Sequence, residues 1–240
     1  MKPLRGTQLN LSDPLARGLF SCWLFNEGSS DKVYDCVRGV ASTTWGAATT
    51  WGVRSGGMGI DAPGADGNLY LPADARYYAV SGFSVALSFE FDQLPSALAN
   101  NQYVLSMHHS AGRYWFFTGN KATDELRIAY VDAGGTTRTA SPGAPVSVGR
   151  RYNCVLVYNG LGIYLYCNGV FISSSVYGSV ITGAAAELRL GHVGSSGYCY
   201  DGLCYHLMFW DRGLTDTEAR RVTMDPYCMF RRQSPLIVAA

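Results

Sequence analysis

Few residues of this chain are placed to do chemistry. Glu90 and Asp92 are the tempting pair, because positions two apart on a strand share one face. Hydrolysis of a glycosidic bond needs two such carboxylates about 5 Å apart, one as nucleophile and one as proton donor. No Asp or Glu occurs from Gln93 to Thr123, so both read as solvent-facing residues at a strand end. A serine nucleophile lacks its setting, since there is no G-x-S-x-G elbow. Four histidines and seven cysteines occur without a spacing that would pair a base with a nucleophile. His108 and His109 are adjacent and point to opposite faces of a strand, which argues against a shared ion. His192 and His206, near Cys199 and Cys204, read as satisfied core or loop residues. Sugar recognition would instead use exposed rings beside polar groups. Tyr77, Tyr78, Tyr114, Tyr198 and Tyr200 are the candidates, while Trp115 reads as core.

The elements that would hold these residues are mostly strands. From Tyr152 to Ser175 two Asn-Gly pairs, Asn159-Gly160 and Asn168-Gly169, separate three short runs rich in Val, Ile and Tyr. Asn and Gly accept the positive φ of tight hairpins, so the segment reads as a three-stranded antiparallel meander. With a loop from Asn159 to Gly162, Tyr158 faces Ile163 and Cys154 lies opposite Cys167. From Phe83 to Phe91 the residues alternate strictly, apolar on one side and Ser84, Ala86, Ser88 and Glu90 on the other. That is the signature of a strand with one core face. Leu19 to Phe25 reads as a largely buried strand closed by the turn Asn26 to Ser30. Further strands are predicted at 102–107, 113–118, 125–131, 135–140, 187–192 and 203–210. One helix stands out: Thr215 and Glu218 form a T-x-x-E capping box opening Asp216 to Met224, and Pro226 ends it. Residues 1–17 read as a polar, irregular arm, 18–230 as one domain and 231–240 as a tail. The fold class is all-β, a sandwich of jelly-roll type.

Composition narrows the partners. Of 240 residues 48% are hydrophobic and only 15% charged, with a formal net charge of +1. That balance gives no electrostatic footprint for nucleic acid, and the arginine pairs at 150–151, 220–221 and 231–232 read as solvated or ion-paired. No apolar run approaches the length of a membrane span. The cysteines number seven and show no C-x-x-C spacing, and the N-terminus lacks a signal-like apolar segment. A reducing cytosol and free thiols are therefore expected, Cys154 and Cys167 included.

Five segments, in order, resemble the laminin G-like jelly-roll branch of the concanavalin A-like lectin/glucanase superfamily. They are Gly18 to Gly28 (GLFSCWLFNEG), Val33-Tyr34-Asp35, Phe83 to Phe89, the Leu165 to Val170 hairpin, and Tyr200-Asp201-Gly202 with Trp210 to Thr215 and Glu218. The resemblance implies a concanavalin A-like sandwich, and it implies calcium as the ion, held by Asn26, Glu27, Asp35 and Asp201. The hydrolases of that superfamily carry an E-x-D-x-x-E pattern, which fails here, and no carboxylate lies between Val104 and His108. Asp225 to Phe230 resembles the tail of short stand-alone members encoded by bacteriophages. The reading that follows is a non-catalytic interaction protein, a structural or decorating component of a phage virion, assembled in the host cytoplasm and displayed on the particle surface. Its partners would be capsid or tail proteins or further copies of itself. A carbohydrate-binding module for a cell-surface glycan is the alternative, and a polysaccharide hydrolase a distant third.

Overall fold

Local turn chemistry builds the first three strands of the larger sheet. β11 (Arg151–Tyr158), β12 (Gly162–Cys167) and β13 (Val170–Val176) form the meander, with Tyr158 opposite Ile163 and Cys154 opposite Cys167. Asn159 closes its loop by accepting the Leu161 and Gly162 N–H groups on its side chain, at 3.0 and 3.1 Å. At the second turn Asn168 and Gly169 both have positive φ, 49° and 84°, as a two-residue hairpin requires.

The computed structural model describes residues 2–3, 7–64, 67–78, 81–108, 115–131, 136–176, 187–191 and 199–231. The remaining strands are β1 (Leu19–Trp23), β2 (Thr44–Trp45), β3 (Thr50–Arg54), β4 (Gly57–Asp61), β5 (Leu69–Leu71), β6 (Phe83–Phe91), β7 (Gln102–His108), β8 (Trp115–Asn120), β9 (Glu125–Val131), β10 (Thr137–Pro145), β14 (Glu187–Leu190) and β15 (Gly202–Trp210). One sheet runs β13-β12-β11-β6-β15-β4-β3, and β1 shares with β4 the second edge of β15. The other runs β10-β9-β8-β7-β14-β5-β2, and every pairing is antiparallel. The inner faces meet in one core that includes Phe83, Val85, Leu87, Phe89 and Phe91 from β6 with Trp115, Phe117, Ile128 and Leu188 opposite. The all-β jelly-roll expectation holds, and α1 (Asp216–Met224) is the one α-helix among the described residues, opened by the predicted Thr215–Glu218 capping box.

β6 departs from the sequence reading. Its outer residues Ser84, Ala86, Ser88 and Glu90 are buried as well. A second apolar cluster roofs this sheet, joining Leu15, Leu24, Ala86, Val155, Met208, Trp210, Leu214, Val222 and Phe230. Small polar groups tolerate that cover because each is bonded. Ser84 donates to Arg212 O (2.9 Å) and accepts from Leu214 N (2.8 Å), and Ser88 donates to Asn153 (2.7 Å).

The roof is made by α1 and by both ends of the described chain. Trp210 donates its indole N–H to Leu15 O at 2.7 Å, Asn10 N donates to Met229 O, and Leu9 bridges Phe230. Arg221 pairs with Asp13 at 2.7 Å. Residues 9–17, read from sequence as an arm, therefore lie against the sheet; their polar residues mask Leu15, which is buried.

Candidate functional site

A groove opens where β1 ends. Past Trp23 the buried Phe25 takes a left-handed φ of 48°, a conformation that costs a non-glycine residue on the order of 1–3 kcal/mol. Lys2 Nζ donates to Phe25 O and Met58 O, both at 2.7 Å, and holds this reversal in place. Burial pushes the Lys2 ammonium down to about 7. The reversal presents Asn26 and Glu27. Glu27 accepts from its neighbour's backbone, Asn26 N, at 3.0 Å and from Tyr34 N at 2.9 Å, which staples the loop across itself. With Gln8, Leu9, Leu11, Val37 and Phe230 these residues line an open groove of about 640 Å³. Its lining is mainly apolar. Tyr34 is 44% exposed and Leu11 81% exposed, and together with Leu9, Val37 and Phe230 they make that apolar lining continuous.

Elsewhere on the larger sheet lie the carboxylates. Arg54, at the end of β3, donates to Glu90 Oε1 at 2.8 Å and to both oxygens of Asp92. Tyr205, on β15, donates to Glu90 Oε2 at 2.7 Å. Glu90 is only 2% exposed, so the expected solvent-facing residue is in fact buried and has both oxygens occupied. The hydrogen bond to Asp92, then that to Glu90, pushes the Arg54 guanidinium up. Burial raises the Asp61 carboxyl nearby, and the negative charges of Asp92, Asp201 and Glu90 add to that. Arg54 thus bonds both carboxylates of the pair.

The tyrosine expectations need correction at two positions. Tyr77 and Tyr200 are fully buried in the core between the sheets. Tyr77 accepts from Arg38 at 2.8 Å and packs on Phe209 with ring centres 4.5 Å apart. Tyr200 donates to Glu90 O and Leu203 O and packs edge-on against Phe89 and Phe91. Each ring has a hydrogen-bond partner for its hydroxyl, which lets it sit in the interior. Trp115 is buried as read. Tyr114 and Tyr198, and the side chain of Tyr78, lie outside the described residues.

The calcium set does not converge. Asn26 and Glu27 sit in the groove. Asp35 is buried, takes three backbone N–H groups on Oδ1 and pairs with Arg38 at 2.6 Å through Oδ2. Asp201 accepts from Gln93, and its charge acts on Asp61 beside Arg54. Among the described residues no group of three His, Cys, Asp or Glu could hold a metal ion. His206 is a satisfied core residue, bonded to Tyr227 at 2.9 Å and held neutral by burial, while His192 lies outside the described residues. The arginine pairs disperse. Arg220 meets Asp216, Arg221 meets Asp13, and Arg151 meets Ser88 and Gly56 O.

Sequence reasoning missed Tyr34, Leu9 and Leu11 as surface features, and Arg54 as the partner of Glu90. Only the Tyr34 segment carried a signal, because it follows the turn at Asn26.

Comparison with known proteins fits this fold. The profile of a family described as the concanavalin A-like lectin/glucanases superfamily matches residues 63–220. No curated protein matches the chain in sequence. Among solved structures, the binding domain of Paraclostridial Mosquitocidal Protein 1 superposes with a TM-score of 0.72 at 12% identity, over 89% of this chain and 53% of that one. The binding domain of botulinum neurotoxin serotype G gives 0.68 at 10% identity, over 88% of this chain, which thus spans about half (51%) of the toxin domain. Domain 4 of AbnA, an extracellular arabinanase from Geobacillus stearothermophilus solved with arabinotriose, gives 0.67 at 16% identity, over 85% of this chain and 98% of that one.

Proposed function

Because the chain belongs to the concanavalin A-like lectin/glucanase superfamily, we propose that it is a non-catalytic form of that fold, an interaction module that grips a protein partner in the groove at its joined ends. The observation that carries this reading is the groove's makeup. Leu9, Leu11, Leu24, Val37 and Phe230 present apolar surface there, whereas the carboxylates a hydrolase would use are tied to Arg54 and Tyr205. An extended peptide segment fits such a lining, with apolar side chains seated and Asn26, Glu27 and Arg231 at hand for its polar groups. The partner is the protein lattice of a phage particle, with this chain as a decorating component. The segment Asp225 to Phe230, which resembles phage-encoded members, contributes Phe230 to that groove.

A second reading has its own support. Tyr34 beside Asn26 and Glu27 is the kind of ring and polar pair on which a sugar stacks. One experiment separates the two. Co-sedimentation with particles lacking this chain should show binding that Leu11→Asp weakens at least tenfold. Glycan-array hits that Tyr34→Ala removes, without particle binding, would replace the protein partner by a glycan. Turnover of any polysaccharide, abolished by Glu90→Gln, would overturn both.

A further inference from the structure

Antiparallel register sets cysteines opposite one another twice in this chain. The first pair is Cys154 and Cys167 of β11 and β12, whose sulfurs lie 2.9 Å apart in the core. The second pair lies at the groove. Trp23 bridges Asp35 in the antiparallel sense, so the next positions outward in register are Cys22 and Cys36. Their backbones are joined directly, Cys36 N donating to Cys22 O at 2.8 Å. Opposed residues of an antiparallel pair hold their Cα atoms about 4.5–5.5 Å apart, within the span that a disulfide bridges.

Access separates the two pairs. Cys154 and Cys167 are both buried, beyond the reach of an oxidant in solution. Cys36 is exposed and lines the groove, whereas Cys22 is buried behind it. One sulfur faces the reagent and the other waits at its back, which is the arrangement of an attacking and a resolving thiol.

We propose that Cys22 and Cys36 form a redox modification site, converted to a cross-strand disulfide by a disulfide oxidant of the glutathione class. In the first step the Cys36 thiolate attacks one sulfur of oxidised glutathione; that S–S bond breaks and one glutathione thiolate leaves. In the second, Cys22 gives its proton to water and its sulfur attacks Cys36 Sγ, expelling the second glutathione thiolate. The protein loses two electrons and two protons, and oxidised glutathione becomes two reduced molecules. Burial, and next to it the neighbouring Cys36 thiol, pushes the Cys22 thiol well up, so the exposed Cys36 and not Cys22 makes the first attack. The new bond closes the loop 23–35. That loop holds the left-handed Phe25, Asn26, Glu27 and Tyr34, so the bond pins one wall of the groove whatever the groove binds.

The test uses the whole chain incubated with oxidised glutathione, then unfolded, alkylated and digested without reductant. The expected result is a Cys22–Cys36 linked peptide that accumulates with time while Cys154 and Cys167 are recovered alkylated. The linked protein should melt roughly 5 °C higher, an increase that dithiothreitol reverses and that Cys36→Ser lacks. Cys36 is exposed, so that variant folds even where Cys22→Ala does not. A Cys36 recovered as a lasting glutathione adduct with Cys22 alkylated would overturn the proposal. So would a link that forms first between Cys154 and Cys167, or recovery of all the thiols unreacted.

Discussion

Two regions of the larger sheet use their side chains in opposite ways. Around Arg54 the polar groups are bonded to one another: Glu90 and Asp92 to the guanidinium, and Tyr205 to Glu90. Around Phe25 the backbone is bent into a costly conformation, and the apolar side chains beside it, Tyr34 and Leu11 above all, are left open. In the first region the two carboxylates are therefore tied to partners within the sheet. The region around Phe25 is where apolar side chains are left open to solvent, and a contiguous open apolar surface is what a partner covers.

The largest expected effect breaks the first region. Arg54→Ala leaves Glu90 buried with one oxygen unpaired, which should cost about 3 kcal/mol in a urea titration. A loss below about 1 kcal/mol would mean that solvent already screens the pair and that Glu90 is freer than its burial implies. Next come substitutions in the groove. Tyr34→Ala and Leu11→Ala should leave stability within about 0.5 kcal/mol, yet each should weaken partner binding about tenfold, or about 1.4 kcal/mol. Equal losses in both measurements would erase the contrast between the regions.

The smallest effect is in acid. Arg212 beside Glu218 holds that carboxyl down at about 2. A depressed carboxyl stabilises the fold above its unfolded value and stops doing so as the pH falls through the folded value. Helix docking should therefore weaken progressively from about pH 4.5 to pH 2. Solvent reaches this pair, so the loss in a melting series should stay below about 1 kcal/mol. Arg212→Ala should flatten that dependence.

Much of the architecture was legible because its determinants are local. Asn159, Gly160, Asn168 and Gly169 fix two hairpins within a few residues of themselves, and the register that follows puts Cys154 opposite Cys167. Thr215 and Glu218 likewise write the start of α1 into four positions. What could not be read depends on distant segments. The outer face of β6 looks solvent-bound in sequence, because Ser84, Ala86, Ser88 and Glu90 carry no sign of the cover supplied by Leu15, Val222 and Phe230. Arg54 meets Glu90 only because β4 and β3 are stacked beyond β15. Tyr77 and Tyr200 lie outside the named strands, so alternation could not place them; their hydroxyls meet Arg38 and the Glu90 carbonyl oxygen, both distant in sequence. Of the candidate site, Asn26 and Glu27 were named for a metal, and the groove around them was not foreseen.

The bridge between Leu9 and Phe230 has a mechanical side. Tension applied across Gln8 and Arg231 would meet the bond between them, then this contact and the Asn10–Met229 bond beside it, before any strand of the sandwich carried load. The closure would open like a zip and lengthen the tether while the two layers stayed whole. A molecule pulled in this way would yield first at the edge of the groove that Leu9 and Phe230 line, so force would reshape that surface.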